Sequence, residues 1–116
     1  MAQVDFINQL EALGYSTQEL LNGMIGFNFT IPMGKNSGKN VELALQVPND
    51  FPMNCPPGPH FKSQGLDGWV EPPNNIHESP LGSDWRYWSR PFPDWNRTQR
   101  SAKSYLAHLK NLLAKL

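Results

Sequence analysis

The sequence predicts an α+β fold, in this order: an N-terminal helix, an antiparallel meander sheet of about four strands, a long aromatic-rich loop, and a C-terminal helix packed on the sheet. Hydrophobic spacing carries most of this expectation, switching from helical to period two at Met24 and back to helical at Ala102. Between those regions lies Phe51-Pro52-Met53-Asn54-Cys55-Pro56-Pro57-Gly58-Pro59-His60-Phe61. It is too rich in proline for a helix or a central strand, because proline fixes φ and removes a backbone donor. A stiff, donor-poor segment with an aromatic at each end holds its flanking elements at a set angle.

Taken in order, Val4, Ile7, Leu10 and Leu13 fall on one face of a short helix, with Phe6 beside them, and Gly14 sits where a C-cap glycine ends it. Ser16-Thr17-Gln18-Glu19 has capping-box spacing and predicts a brief helical turn before Gly23. Ile25, Phe27, Phe29 and Ile31 then alternate with small or polar residues as a half-buried strand stopped by Pro32. A second strand runs Val41 to Val47. The polar, glycine-bearing loop Gly34–Asn40 joins the two as a hairpin; it has no complete phosphate-loop pattern and no helix after it. Phe61 starts a shorter third strand, and Trp69-Val70 is expected to return as a fourth. From Asn74 to Asn96 no period is visible, which predicts an ordered, aromatic-rich excursion of the kind that carries function. Ala102, Tyr105, Leu106, Leu109, Leu112, Leu113 and Leu116 form the apolar stripe of the last helix, with Asp94 or Asn96 as candidate N-cap.

The chain has 116 residues, enough for one core, so residues 1–116 are read as a single domain. Ten basic and ten acidic residues cancel, which removes the bulk electrostatic reason to expect nucleic acid or an anionic membrane. No apolar run is long enough to span a bilayer, and Met1–Asp5 lacks the basic start of a signal peptide, so a soluble, cytoplasmic setting is expected. One cysteine, Cys55, excludes an internal disulfide. His60, His77 and His108 lack zinc-ligand spacing, so neither a metal nor a cofactor is expected. His77, Glu78, Ser79 and Asp84 can be drawn as a hydrolytic set, but without a nucleophile elbow, and a loop histidine is the simpler reading. Trp85, Tyr87, Trp88, Phe92 and Trp95, interleaved with Arg86, Arg90 and Arg97, admit three readings. The aromatics cover the sheet; or they form a recognition surface, since Trp, Tyr and Arg anchor interfaces; or they stack the bases of a single-stranded nucleic acid, a reading that the zero net charge weakens.

Val47-Pro48-Asn49-Asp50-Phe51-Pro52, followed by Pro56-Pro57 and Phe61, resembles the proline signature between the second and third strands of ubiquitin-conjugating (E2, UBC-fold) enzymes. Trp85, Trp88, Ser89, Arg90 and Pro91 are similar to the tryptophan-proline segment before that family's next helix. The resemblance spans residues 2 to 116 and implies a UBC-like fold, closest to divergent bacterial E2-like proteins. The family holds its thioester on a cysteine well beyond the final Phe, and no cysteine follows Phe61 here. Gly82, Ser83, Asp84 and Trp85 lie near the nucleophile's place, and a serine lacks the thiolate's combination of nucleophile and leaving group. The resemblance therefore implies a non-catalytic binding or scaffold protein of a bacterial ubiquitin-like conjugation system. Its partner would be a ubiquitin-like protein or an E1- or E2-like protein. The expected recognition face runs from Ile76 to Trp95, with Ile76, His77, Trp85, Trp88, Arg90 and Trp95 as binding residues. The alternatives are an active carrier using Cys55 and an interaction module unrelated to ubiquitin.

Overall fold

The computed structural model describes residues 2–116. Helix α1 spans Ala2–Ala12. It closes in a Schellman arrangement: Tyr15 N–H donates to Leu10 O at 3.1 Å, Gly14 N–H donates to Glu11 O at 3.0 Å, and Gly14 takes a φ of +98°. Strands β1 (Thr17–Glu19), β2 (Ile25–Thr30) and β3 (Asn40–Leu45) follow, then the proline segment, β4 (His60–Phe61), β5 (Ile76–Glu78) and β6 (Arg86–Trp88). Helix α2 covers Ala102–Ala114. The sheet has six strands in the order β1-β2-β3-β4-β6-β5, and every pairing is antiparallel.

The period-two pattern of β2 and β3 places Ile25, Phe27, Phe29, Val41, Leu43 and Leu45 on one face, where they meet both helices. Phe6 and Leu10 of α1 and Tyr105, Leu109 and Leu113 of α2 join them in one core, each almost completely buried. Gln9 ties the helices together: its Oε1 accepts the Ala102 N–H at 2.6 Å, satisfying a donor the start of α2 would otherwise leave free. On the reverse face Met24, Ala44 and Trp85 form a smaller cluster, with Leu20 and Leu81 against it.

The proline segment is anchored at its start. Phe51 packs edge-on against Phe6 at 5.2 Å between ring centroids, and Trp95 Nε1–H donates to Pro52 O at 2.9 Å. At Gly58 the backbone passes so close to β6 that an added Cβ would meet Trp88 O at 2.3 Å, and Trp88 N–H donates to Pro59 O at 2.9 Å. The segment thus delivers β4 into the slot between β3 and β6.

The α+β class and both terminal helices stand, but several local expectations need correction. Ser16–Glu19 is no helix cap: Thr17–Glu19 is a strand paired with β2, and the brief turn expected before Gly23 is a single 3-10 turn at Leu21–Gly23. Trp69-Val70 forms no strand. Instead the fully buried Asn36 stands in for a neighbouring strand, its Nδ2 donating to Val70 O at 2.8 Å and its Oδ1 accepting Val70 N–H at 2.7 Å. The excursion from Asn74 to Asn96 contains the β5–β6 pair, whose three-residue strands are too short for alternation to register. The sheet accordingly has six strands rather than about four. Ser101, not Asp94 or Asn96, caps α2, its Oγ accepting Ser104 N–H at 3.2 Å. On α1 the buried residues are Phe6 and Leu10, whereas Val4 and Leu13 are 50% and 41% exposed, because the sheet and α2 meet a different side of the helix.

Candidate functional site

Strand β6 has both faces in use, and the candidate surfaces lie to either side of it. On the helix side Trp88 is buried against Phe61, with ring centroids 6.0 Å apart. The chain then leaves the sheet at Ser89 and Arg90, and the Arg90 guanidinium lies 5.6 Å from the centroid of the Trp88 ring. Beside this pair opens a groove of about 440 Å³. Trp88, Leu112 and Leu116 supply apolar lining, Pro72 and Pro73 form one wall, and Lys35, Arg90 and Lys115 bring positive charge, with Glu71 as the one lining carboxylate side chain. Lys35 is carried there by the hairpin loop that Asn36 pins to Val70, and Lys115 is the C-cap residue just past α2.

On the reverse side a row of residues crosses the whole sheet in register: Gln18, Gly26, Ala44, His60, Tyr87 and His77. His60 and Tyr87 lie 4.7 Å apart between ring centroids, and Tyr87 and His77 lie 6.2 Å apart. His60 is nearly buried and shares a 2.8 Å hydrogen bond between its Nδ1 and Ser79 Oγ, which also accepts Leu81 N–H at 3.2 Å. The hydrolytic set drawn from sequence is therefore rearranged: Ser79 pairs with His60 of β4, not with its neighbour His77. Burial lowers the His60 pKa from 6.5 to about 4, so the ring is neutral at pH 7 and a feeble base. The pair ties the β5–β6 connection to β4 and is poorly suited to activate a hydroxyl.

Cys55 is half-buried, and burial pushes its thiol pKa up, outweighing an opposing backbone hydrogen bond. Its neighbour Tyr105 is fully buried, and its phenol is held protonated, chiefly by burial and further by Cys55 and Tyr87. Neither group gives the other a base, so the thiolate needed for attack is disfavoured.

The expected recognition residues divide by exposure. Trp85, Trp88 and Trp95 are buried at 7%, 4% and 4% exposure and are core residues, Trp85 on the reverse face and the other two on the helix face. They cannot act as exposed anchors, because aromatic rings of that size complete the packing on each side of a thin sheet. Ile76 and Arg90 are half-buried and His77 is exposed, so these remain at the surface. Sequence reading missed Lys35, Lys115, Leu112 and the His60–Ser79 pair, and no local signal marks them, since each meets its neighbours only through the fold. Among the described residues no group of three or more His, Cys, Asp or Glu is placed to hold a metal ion. Among the described residues no helix is long and apolar enough to cross a membrane. Comparison with protein-family models, characterised proteins and solved structures finds no match.

Proposed function

We propose that this chain is a UBC-like, non-catalytic binding domain of a bacterial ubiquitin-like conjugation system, which holds a ubiquitin-like protein or its E1- or E2-like partner without forming a thioester. The observation that carries the reading is the β5–β6 pair. On its reverse face His77 is exposed and Tyr87 half-buried, on backbone held by the buried Trp85 and Trp88, while Ile76 and, just past β6, Arg90 are half-buried on the helix side. Rigid backing of this kind lowers the ordering cost of binding. The order of helix, antiparallel strands, proline segment and C-terminal helix supports the resemblance, and the raised pKa of Cys55 supports the absence of carrier chemistry.

The test mixes the protein with a candidate ubiquitin-like protein, its E1 and ATP. The expected result is a non-covalent complex, weakened at least about fivefold by His77→Ala or Tyr87→Ala, with no reductant-sensitive adduct. An adduct that is lost in Cys55→Ala would establish the carrier reading instead. Failure of every conjugation component to bind would leave the unrelated interaction module.

A further inference from the structure

The groove between Pro72-Pro73 and the end of α2 has a chemistry of its own. At about 440 Å³ it falls in the size range of small-molecule sites. Lys35, Arg90 and Lys115 converge on it, and none has a carboxylate within 4.0 Å; among the described residues the one ion pair is Arg97–Asp94. Glu71, the lining carboxylate, accepts instead from Gln64 Nε2 at 3.3 Å. The positive field reaches inward: after burial, Arg90 and Lys115 are what lower the His108 pKa. The floor, by contrast, is apolar: Leu116 and Pro73 are open to it, and the almost buried Trp88 and Leu112 show only their edges.

The backbone around the groove narrows the choice of occupant. Pro72 and Pro73 have no N–H to offer, both polar groups of Val70 are taken by Asn36, and Lys35 N–H donates to Leu116 O at 3.3 Å. An extended peptide adding itself as a strand would find no ladder to join. A bare inorganic anion would leave the apolar floor wet. We propose that this groove binds an amphipathic organic anion, a carboxylate at the end of an apolar chain, with Arg90, Lys35 and Lys115 around the carboxylate and the chain laid along Leu116 and Pro73, against the edges of the buried Trp88 and Leu112. The proposal holds whether or not the β5–β6 pair binds a ubiquitin-like protein.

Octanoate is a suitable probe, with octanamide as its uncharged counterpart and inorganic phosphate as the bare anion, each titrated into the whole protein at low salt. Binding is read by calorimetry and by amide and indole NMR shifts. Octanoate is expected to saturate and to move the Trp88 and Leu112 signals, while octanamide binds at least about tenfold more weakly. Arg90→Gln and Lys115→Gln are each expected to weaken octanoate about fivefold with an unchanged melting temperature, and added salt to weaken it further. Equal affinity for octanoate and octanamide, phosphate binding as tightly as octanoate, shifts confined to another surface, or no saturation in the millimolar range would each overturn the proposal.

Discussion

Replacing Asn36 should reveal how far one side chain holds the hairpin loop to the rest of the molecule. Asn36 is fully buried and exchanges hydrogen bonds of 2.8 and 2.7 Å with both polar groups of Val70. Asn36→Ala removes both and leaves the Val70 N–H and C=O without protein partners. Each lost bond is worth about 1 kcal/mol net, with a further cost for a group left buried and unpaired. Val70 is itself only half-buried, so water can recover part of that cost. The expected loss is about 2–4 kcal/mol, or roughly 8–16 °C in melting temperature for a chain of this size. Urea unfolding followed by tryptophan fluorescence measures it.

Asn36→Asp sharpens the test. One carboxyl oxygen can still accept Val70 N–H, but the other faces Val70 O and needs a proton to pair with it. Burial and the carbonyl raise the folded-state pKa above the unfolded value of about 3.9. The folded variant then binds more protons than the unfolded one, so its stability is greatest in acid and falls as pH rises through that raised pKa. The deficit against the wild type should therefore widen towards neutral pH. Asn36→Ala within about 0.5 kcal/mol of wild type, the range of an ordinary surface change, would refute the account of this loop.

Three further outcomes are expected. Gly58→Ala should unfold the protein or cost more than about 3 kcal/mol, because its Cβ meets the Trp88 carbonyl at 2.3 Å, whereas Gly26→Ala meets only the flexible Leu20 side chain at 2.6 Å and should cost far less; equal losses in thermal melts would contradict this. The His60 pKa is lowered by burial from 6.5 to about 4, so the folded state binds fewer protons in that window and stability should fall as pH drops through it. The lowered pKa of His108 acts with the same sign. Urea midpoints across this pH range should show a shallower slope for His60→Gln, and an unchanged slope would count against the buried neutral ring. Cys55, its thiol pKa raised by burial, should react with iodoacetamide at pH 7.5 several times more slowly than free cysteine, with full reactivity returning in urea.

Along the chain, what was legible was whatever neighbours in sequence decide between themselves. The alternation of Ile25, Phe27, Phe29 and Ile31, the stripe from Ala102 to Leu113 and the Gly14 stop all appear where their spacing placed them. Those patterns depend on the pitch of a strand or helix and on which side is apolar. Tertiary structure decided everything that joins distant segments: Asn36 to Val70, 34 residues apart; His60 to Ser79, 19 apart; Gln9 to Ala102, 93 apart. It also decided that Trp85, Trp88 and Trp95 are core while Lys35 and Lys115 flank a groove, because a side chain's exposure depends on what packs over it. Composition can announce that aromatics and cations are present. Only the closing of six short strands under two helices determines which of them water, or a ligand, can reach.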